Sequence, residues 1–392
     1  MIRKASLIIW DEVSMVHRYL IESVDRSLRD ITKVDRPFGG IVVVFSGDFK
    51  QLLPVCRGLT AGEVVNTTLP HSRLWETISL NCMKLTTNMR LQASGLDPQE
   101  KLDMENFSAF LLSIGNGTAP QVDGRIRLPD GMAENYVGPL CLERLIDKIY
   151  ADVCYVDGYV NWPSEQKQKY LCDRAILAPK NNAVVAINRT VLNLLPGETR
   201  EYLSADSVDV DGSNEASEQT VLDYPLEFLH GLNMNGFPTH SLRLKVGACF
   251  MLLRNLCPAN GLCNGTRLIV TVLCDNVIGA RILGGDFANN EVVIPRIDLI
   301  GDNQGRWPFK LRRRQFPVQV SFAMTIHKSQ GQTLRFVGLY IPEPIFSHGQ
   351  LYVACSRVTS PKNIHILVRN GKLPGHEGVW TTNVVMPGIF RQ

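Results

Sequence analysis

Two apolar runs without alternation stand near the start of the chain: "LIIW" at Leu7–Trp10, and "GIVVVFSGD" at Gly40–Asp48. Unbroken runs of this kind read as parallel strands covered on both faces, since a half-exposed strand would alternate. Between them, "MVHRYLIESVDRSLRDI" carries Val16, Leu20, Val24 and Leu28 at four-residue spacing, with charges elsewhere. That spacing predicts an amphipathic helix, and strand, helix, strand suggests a βαβ unit. Residues 100–160 read as mostly helical, with Leu142, Leu145, Ile146 and Ile149 on one face of "PLCLERLIDKIYADV". "RAILAP" at Arg174–Pro179 is a third buried strand, and the helical stretch after it stops at Pro196-Gly197.

The pattern then changes. Residues 201–220 carry six acids and no bases, a solvated loop or hairpin. From Lys245 to about Pro317, short pieces such as "KVGACFMLLRN", "NGTRLIVTVL" and "NEVVIPRI" are punctuated by Asn-Gly and Gly-Gly turns. Many short strands between such turns predict a small β-barrel module. After it, "FPVQVSFAMTI", "FVGLYIP" and "IHILV" are buried strands again, so the β module is inserted into a second α/β domain.

Composition narrows the function classes. The chain has 392 residues, enough for two or three domains, and 45% of them are hydrophobic. A net charge of +3 excludes a polybasic tail or a strongly acidic solvating chain, but leaves room for a locally basic groove. The ten cysteines are scattered without C-x-x-C spacing, which fits reduced thiols in a cytosolic or nuclear protein and argues against zinc. "MIRKASLIIWDE" is too short an apolar run for a signal peptide, and no run reaches the ~18 residues of a membrane span. The expectation is a soluble intracellular protein with no membrane partner.

Five stretches carry candidate chemistry. Asp11 and Glu12 end the first strand, where α/β sheets face a ligand crevice. One acid there can hold magnesium and the next can activate water, although such a pair also serves as a turn or helix cap. "SGDFKQLLPV" follows the second strand; Gln51 can both donate and accept, and so can touch a phosphate or its water, or it is an ordinary turn residue. "LTTNMR" supplies Arg90, which alone reads as solvated. "FAMTIHKSQGQTL" offers hydroxyl, amide, glycine and lysine groups suited to phosphates. "GQLYVACSRV" brings Arg357 after small residues, where a guanidinium can reach a phosphate. The basic run "KLRRR" at Lys310–Arg314 has two readings, a DNA phosphate contact or an exposed strand with charged edge residues. Trp75, Trp162 and Trp307 can stack on bases but read better as core or interface residues.

In this order, "WDE", "GDFKQLLPV", "NMR", "HKSQGQTL" and "YVACSRV" resemble the Pif-type DNA helicases of superfamily 1, relatives of the RecD-like helicases. The likeness extends to the helicase region of Helitron-type transposable elements and covers nearly all of the chain. It implies an α/β fold: two RecA-like parallel-sheet domains of the P-loop NTPase kind, the first incomplete, with a small SH3-like β-barrel insertion. The implied division is 1–95 for the first RecA-like domain, 96–165 for a mostly helical connector, 166–244 with 317–392 for the second, and 245–316 for the SH3-like 2B insertion. It implies an ATP-dependent helicase moving five-prime to three-prime on single-stranded DNA and opening duplex junctions, with ATP and Mg2+ as cofactors.

By the same resemblance Asp11 and Glu12 are the magnesium-binding and water-activating acids, Asp48 and Gln51 belong to the next motif with Gln51 as γ-phosphate sensor, and Arg90 reaches the transferring phosphate. Arg357 is the arginine finger. Thr325, His327, Lys328, Ser329 and Gln330 line the DNA track, with Gly331 and Gln332 close to the nucleotide. His327 departs from the family, which often has asparagine there. Family roles in telomere maintenance, repair and recombination, and a nuclear or mitochondrial address, come with the resemblance. The larger departure is that G-x-x-x-x-G-K-[ST] occurs nowhere in the sequence. The expectation is therefore a helicase piece beginning after its phosphate loop, with an unpaired apolar edge on its first sheet, or alternatively an inactive DNA-binding or partner-binding remnant.

Overall fold

The structure, a computed structural model, describes residues 2–56, 58–92, 97–154, 159–209, 224–234, 236–301, 307 and 309–390. The chain divides into two compact units, one of residues 1–138, 329–335 and 339–392, the other of residues 139–328 and 336–338.

In the first unit, the strand Leu7–Trp10 pairs in parallel with the strand Val42–Phe45, Leu7 opposite Val42 and Trp10 opposite Phe45. The helix Arg18–Thr32 connects them, giving the expected βαβ unit. His17 Nδ1 accepts from the Tyr19 amide at its start (3.1 Å), and Lys33 closes it in the left-handed region at φ 61°. Ile8, Trp10, Val43 and Phe45 pack with Val13, Ile21, Leu28 and Phe38 in one core. The opposite face is bare: Leu7, Ile9, Val42 and Val44 are 51, 70, 61 and 46% exposed. The two strands are thus covered on one face, because only one helix layer meets them and side chains alternate along a strand. Among the described residues they pair only with each other. The buried helix stripe also differs from the expected one. Ile21, Asp25 and Leu28 face inward, while Leu20 is exposed. Asp25 is drawn in because its carboxylate accepts from the Phe38 amide (2.7 Å) and from Arg29.

The stretch read as mostly helical holds two helices, Pro98–Asn116 and Pro139–Cys154, with three short strands between them. Arg125–Arg127 pairs with Gln121–Val122 and with Trp380–Thr382, and Ala133–Tyr136 runs parallel to Ile364–Arg369.

In the second unit, Arg174–Ala178 is buried almost throughout and pairs in parallel with Ala323–Thr325. The helix Asn181–Leu194 lies against them, with the Asn188 amide bridging Val320 and Ala323 carbonyls at 2.8 and 3.0 Å. A five-stranded antiparallel sheet follows, in the order Glu291–Pro295, Val277–Ile282, Arg267–Leu273, Cys249–Leu252, Val318–Val320. The run "FPVQVSFAMTI" therefore serves two sheets in turn. A three-stranded sheet places Lys310–Gln315 between Ile297–Gly301 and Ala205–Asp209. The last of these strands comes from the acid-rich stretch, whose remainder, residues 210–220, lies outside the described residues.

"KLRRR" is thus neither an exposed edge nor wholly a basic patch. Its strand is central, and Arg313 is fully buried in a two-pronged pair with Asp206 (2.9 and 2.7 Å). Asp206, His230 and His240 come together there with metal-like spacing. The Asp206 carboxylate, however, is already taken by Arg313 and by the Ser204 hydroxyl (2.6 Å), and a buried guanidinium beside it opposes a cation. Trp75 packs at the edge of the first core and Trp162 against Tyr159 and Tyr170, both half-buried, whereas Trp307, edge-on to Phe228, is exposed. The described cysteines in both units are free thiols, and no described helix is long and apolar enough to cross a membrane.

Candidate active site

Asp11 and Glu12 stand where the first strand ends. Chain direction and the parallel pairing put Ser46 beside them at the same end of the second strand. The Ser46 hydroxyl and the Glu12 amide both donate to Asp11 Oδ1. Those two bonds, the serine's first, hold the Asp11 carboxyl below its ordinary 3.8, so it is an exposed anion at neutral pH. Glu12 sits in the left-handed region at φ 54°, ψ 37°. For a side chain of this kind that conformation costs roughly 1–2 kcal/mol. It is held by the turn around it, with the Val13 amide on the Ser46 carbonyl (2.9 Å) and the Met15 amide on the Glu12 carbonyl (3.2 Å).

The turn after the second strand is pinned from the C-terminal part of the same unit. Asp48 accepts from the Lys50 amide (3.0 Å) and from the Tyr352 hydroxyl (2.8 Å). His348 accepts at Nδ1 from the Met386 amide (2.9 Å), which fixes its other nitrogen as the donor to the Phe49 carbonyl (2.8 Å). Burial lowers this histidine's pKa from 6.5, in keeping with a neutral ring. Gly349 has φ +69°, and a Cβ on it would lie 2.4 Å from the Lys50 carbonyl oxygen, so the two chain segments meet at backbone distance. Gln51 follows, and its Oε1 is buried without a partner.

The stretch from Thr325 to Gln332 is divided between the two units. Thr325 and Lys328 belong to the second unit, where with Asn181, Gln319 and Ser321 they line a small cleft. Burial lowers the pKa of His327 and of Lys328. Ser329 to Gln332 belong to the first unit. Gln330 Nε2 donates to Glu12 Oε2 (3.1 Å), and the Gln330 Oε1 is buried without a partner. Gly331, at φ +74°, has Glu12 Oε1 3.8 Å from where a Cβ would stand. Arg357 is 7% exposed and committed to the backbone beneath this turn. It donates to the carbonyls of Ser329 (3.3 Å), Gln332 (2.9 Å) and Val353 (2.9 Å). Arg90 falls in the short 3-10 turn Met89–Gln92, and its side chain lies outside the described residues.

The structure thus brings Asp11, Glu12, Asp48, Gln51, Gln330, Gly331 and Arg357 into one unit. Sequence reading missed Ser46, His348, Gly349 and Tyr352. "HGQLY" holds the last three, and its glycine ahead of a short apolar helix was the one signal, since glycine allows backbones to approach closely. The residues fit a magnesium–nucleotide pair. Asp11 offers a hard anionic oxygen, and Gln51 and Gln330 each present a buried amide oxygen that lacks a partner.

A family model described as PIF1-like helicase matches residues 1–125, and one described as DNA helicase Pif1, 2B domain, matches residues 227–273. The ATP-dependent DNA helicase PIF1 of Danio rerio is 27% identical over 371 residues, covering 92% of this chain and 46% of that protein. Its counterpart in Homo sapiens is 26% identical, over 91% of this chain and 45% of that protein. The chain therefore spans just under half the length of these relatives. Among solved structures, Pif1 helicase from Candida albicans is 25% identical with a TM-score of 0.56, covering 93% of this chain and 73% of that one. Bacteroides Pif1 bound to ssDNA shares the fold with a TM-score of 0.58 at 23% identity, over 93% and 71% of the two chains. By these matches and by its parallel-sheet α/β fold, the chain is similar to the Pif1-like helicases of superfamily 1.

Proposed function

We propose that this chain works as an ATP-dependent DNA helicase, moving five-prime to three-prime on single-stranded DNA and opening duplex junctions. The observation that carries the reading is the bond from Gln330 to Glu12 beside Asp11, with the partnerless Gln51 amide oxygen in the same unit. Asp11, with Glu12, would hold Mg2+, which when bound neutralises charge on the phosphate oxygens. Glu12 takes the proton of the attacking water, and the Gln51 amide orients that water against the phosphate. Arg357 acts as the arginine finger only if its guanidinium leaves the carbonyls it now holds. Lys328 and Thr325 contact the strand's phosphates. The nucleus is the proposed setting, with the mitochondrion second, and telomere maintenance, repair and recombination are the proposed processes.

A second reading is DNA binding without turnover. Tailed duplexes separate the two. The helicase reading expects ATP-dependent opening of a duplex with a five-prime tail and none with a three-prime tail. Binding of both tails with equal affinity, with and without ATP, and no opening of either, supports the second reading.

A further inference from the structure

The stretch containing Gln330 reads, by resemblance, as part of the DNA track, yet its side chain is turned to the acids. Three independent features converge there. Gln330 Nε2 donates to Glu12 Oε2 at 3.1 Å. Glu12 holds a left-handed backbone conformation, so its carboxylate direction depends on local bonds rather than on strand geometry. The turn bearing Gln330 is itself anchored from below, by Arg357 on the Ser329 and Gln332 carbonyls and by the Gln332 amide on the Ser329 carbonyl (3.1 Å).

We propose that Gln330 is a positioning residue for Glu12, and that Arg357 sets it in place through the Ser329–Gln332 turn. The amide fixes one carboxylate oxygen of Glu12 and leaves the other, Oε1, on the side of Gly331, where a Cβ would stand 3.8 Å from it. The same amide keeps its own Oε1 buried and without a partner, an acceptor suited to a water hydrogen. The effect on turnover rests on the helicase reading above, whereas the contact and its local consequence do not.

Gln330→Met keeps the length of the side chain and removes both polar atoms. Three measurements on the whole chain are expected to agree. Amide exchange at Glu12 to Met15 becomes about tenfold faster, because a bond to a charged group holds the turn. The affinity for a single-stranded oligothymidylate changes less than about twofold, since the lost contact is to protein, not to phosphate. DNA-stimulated kcat falls roughly 10- to 100-fold with KM for ATP unchanged, the mark of a residue that aims the base without binding substrate. Unchanged exchange at Glu12 to Met15 overturns the proposal. So does a tenfold loss of DNA affinity, which makes Gln330 a strand contact. If the wild-type chain shows no turnover, the helicase reading fails, and the exchange and affinity results alone decide the role of Gln330.

Discussion

Changing Asp206 to asparagine removes one charge from a pair that is wholly inside the second unit. Asp206 and Arg313 side chains are both 0% exposed. Their two bonds are 2.9 and 2.7 Å, and the remaining guanidinium protons go to the carbonyls of Leu229 (2.9 Å), Pro238 (3.0 Å) and Leu232 (3.3 Å). The pair thus ties the segment from Leu229 to Pro238 onto the strand Lys310–Gln315. Asparagine is nearly the same size, so the change costs little in packing. It leaves a buried guanidinium without its counter-charge, a loss of about 3–5 kcal/mol. That is a large part of the roughly 5–15 kcal/mol that holds a domain together. Because a chain with two compact units need not unfold in one step, the assay is urea denaturation read by hydrogen exchange on two segments. Residues 226–240 and 310–315 should lose protection at lower urea, while the Leu7–Trp10 strand keeps its own. A loss under about 1 kcal/mol at these segments would refute the reasoning, since it would mean that water reaches Arg313. The same burial implies that Arg313→Met leaves the salt dependence of DNA binding unaltered.

Three further outcomes are expected. Gly349→Ala combines a left-handed residue with a Cβ 2.4 Å from the Lys50 carbonyl oxygen, and should destabilise the first unit by about 2–5 kcal/mol in urea titration. Ser46→Ala removes the larger of the two bonds that hold the Asp11 carboxyl below 3.8, so its titration, followed by carboxyl NMR, should move up toward that value. His348 has its pKa lowered from 6.5 by burial, so the unfolded chain takes up the proton first. Its contribution to stability is complete above pH 6.5 and is lost as pH falls below it toward the folded value, and His348→Gln should flatten that part of the pH–stability curve.

Much of the local structure was legible. An unbroken apolar run ending in two acids gave the Leu7–Trp10 strand, and Arg174–Ala178 was buried as its composition implied. Periodicity failed where a polar group had a private reason to be inside. Asp25 is buried because the Phe38 amide needs an acceptor, and Arg313 because Asp206 and three carbonyls await it, neither of which leaves a trace in spacing. A run of hydrophobic residues also cannot say how many layers will cover it, and so the second face of the first sheet was misjudged. Asp11, Glu12 and Gln51 were visible because strand ends place them. Gln330 was assigned to the DNA track by the family resemblance, and its bond to Glu12, across 318 positions of chain, is set by folding alone.

The central claim is that Asp11, Glu12 and their amide neighbours form a working phosphate-hydrolysis site, and one measurement tests it most directly. ATP turnover by the chain would be followed with Mg2+, with and without a single-stranded oligonucleotide, beside the Glu12→Gln variant. The account predicts turnover that DNA stimulates and that the variant lowers by roughly 100-fold or more, with its DNA affinity intact. Turnover equal in both proteins, or DNA binding indifferent to ATP with no turnover in either, would contradict it.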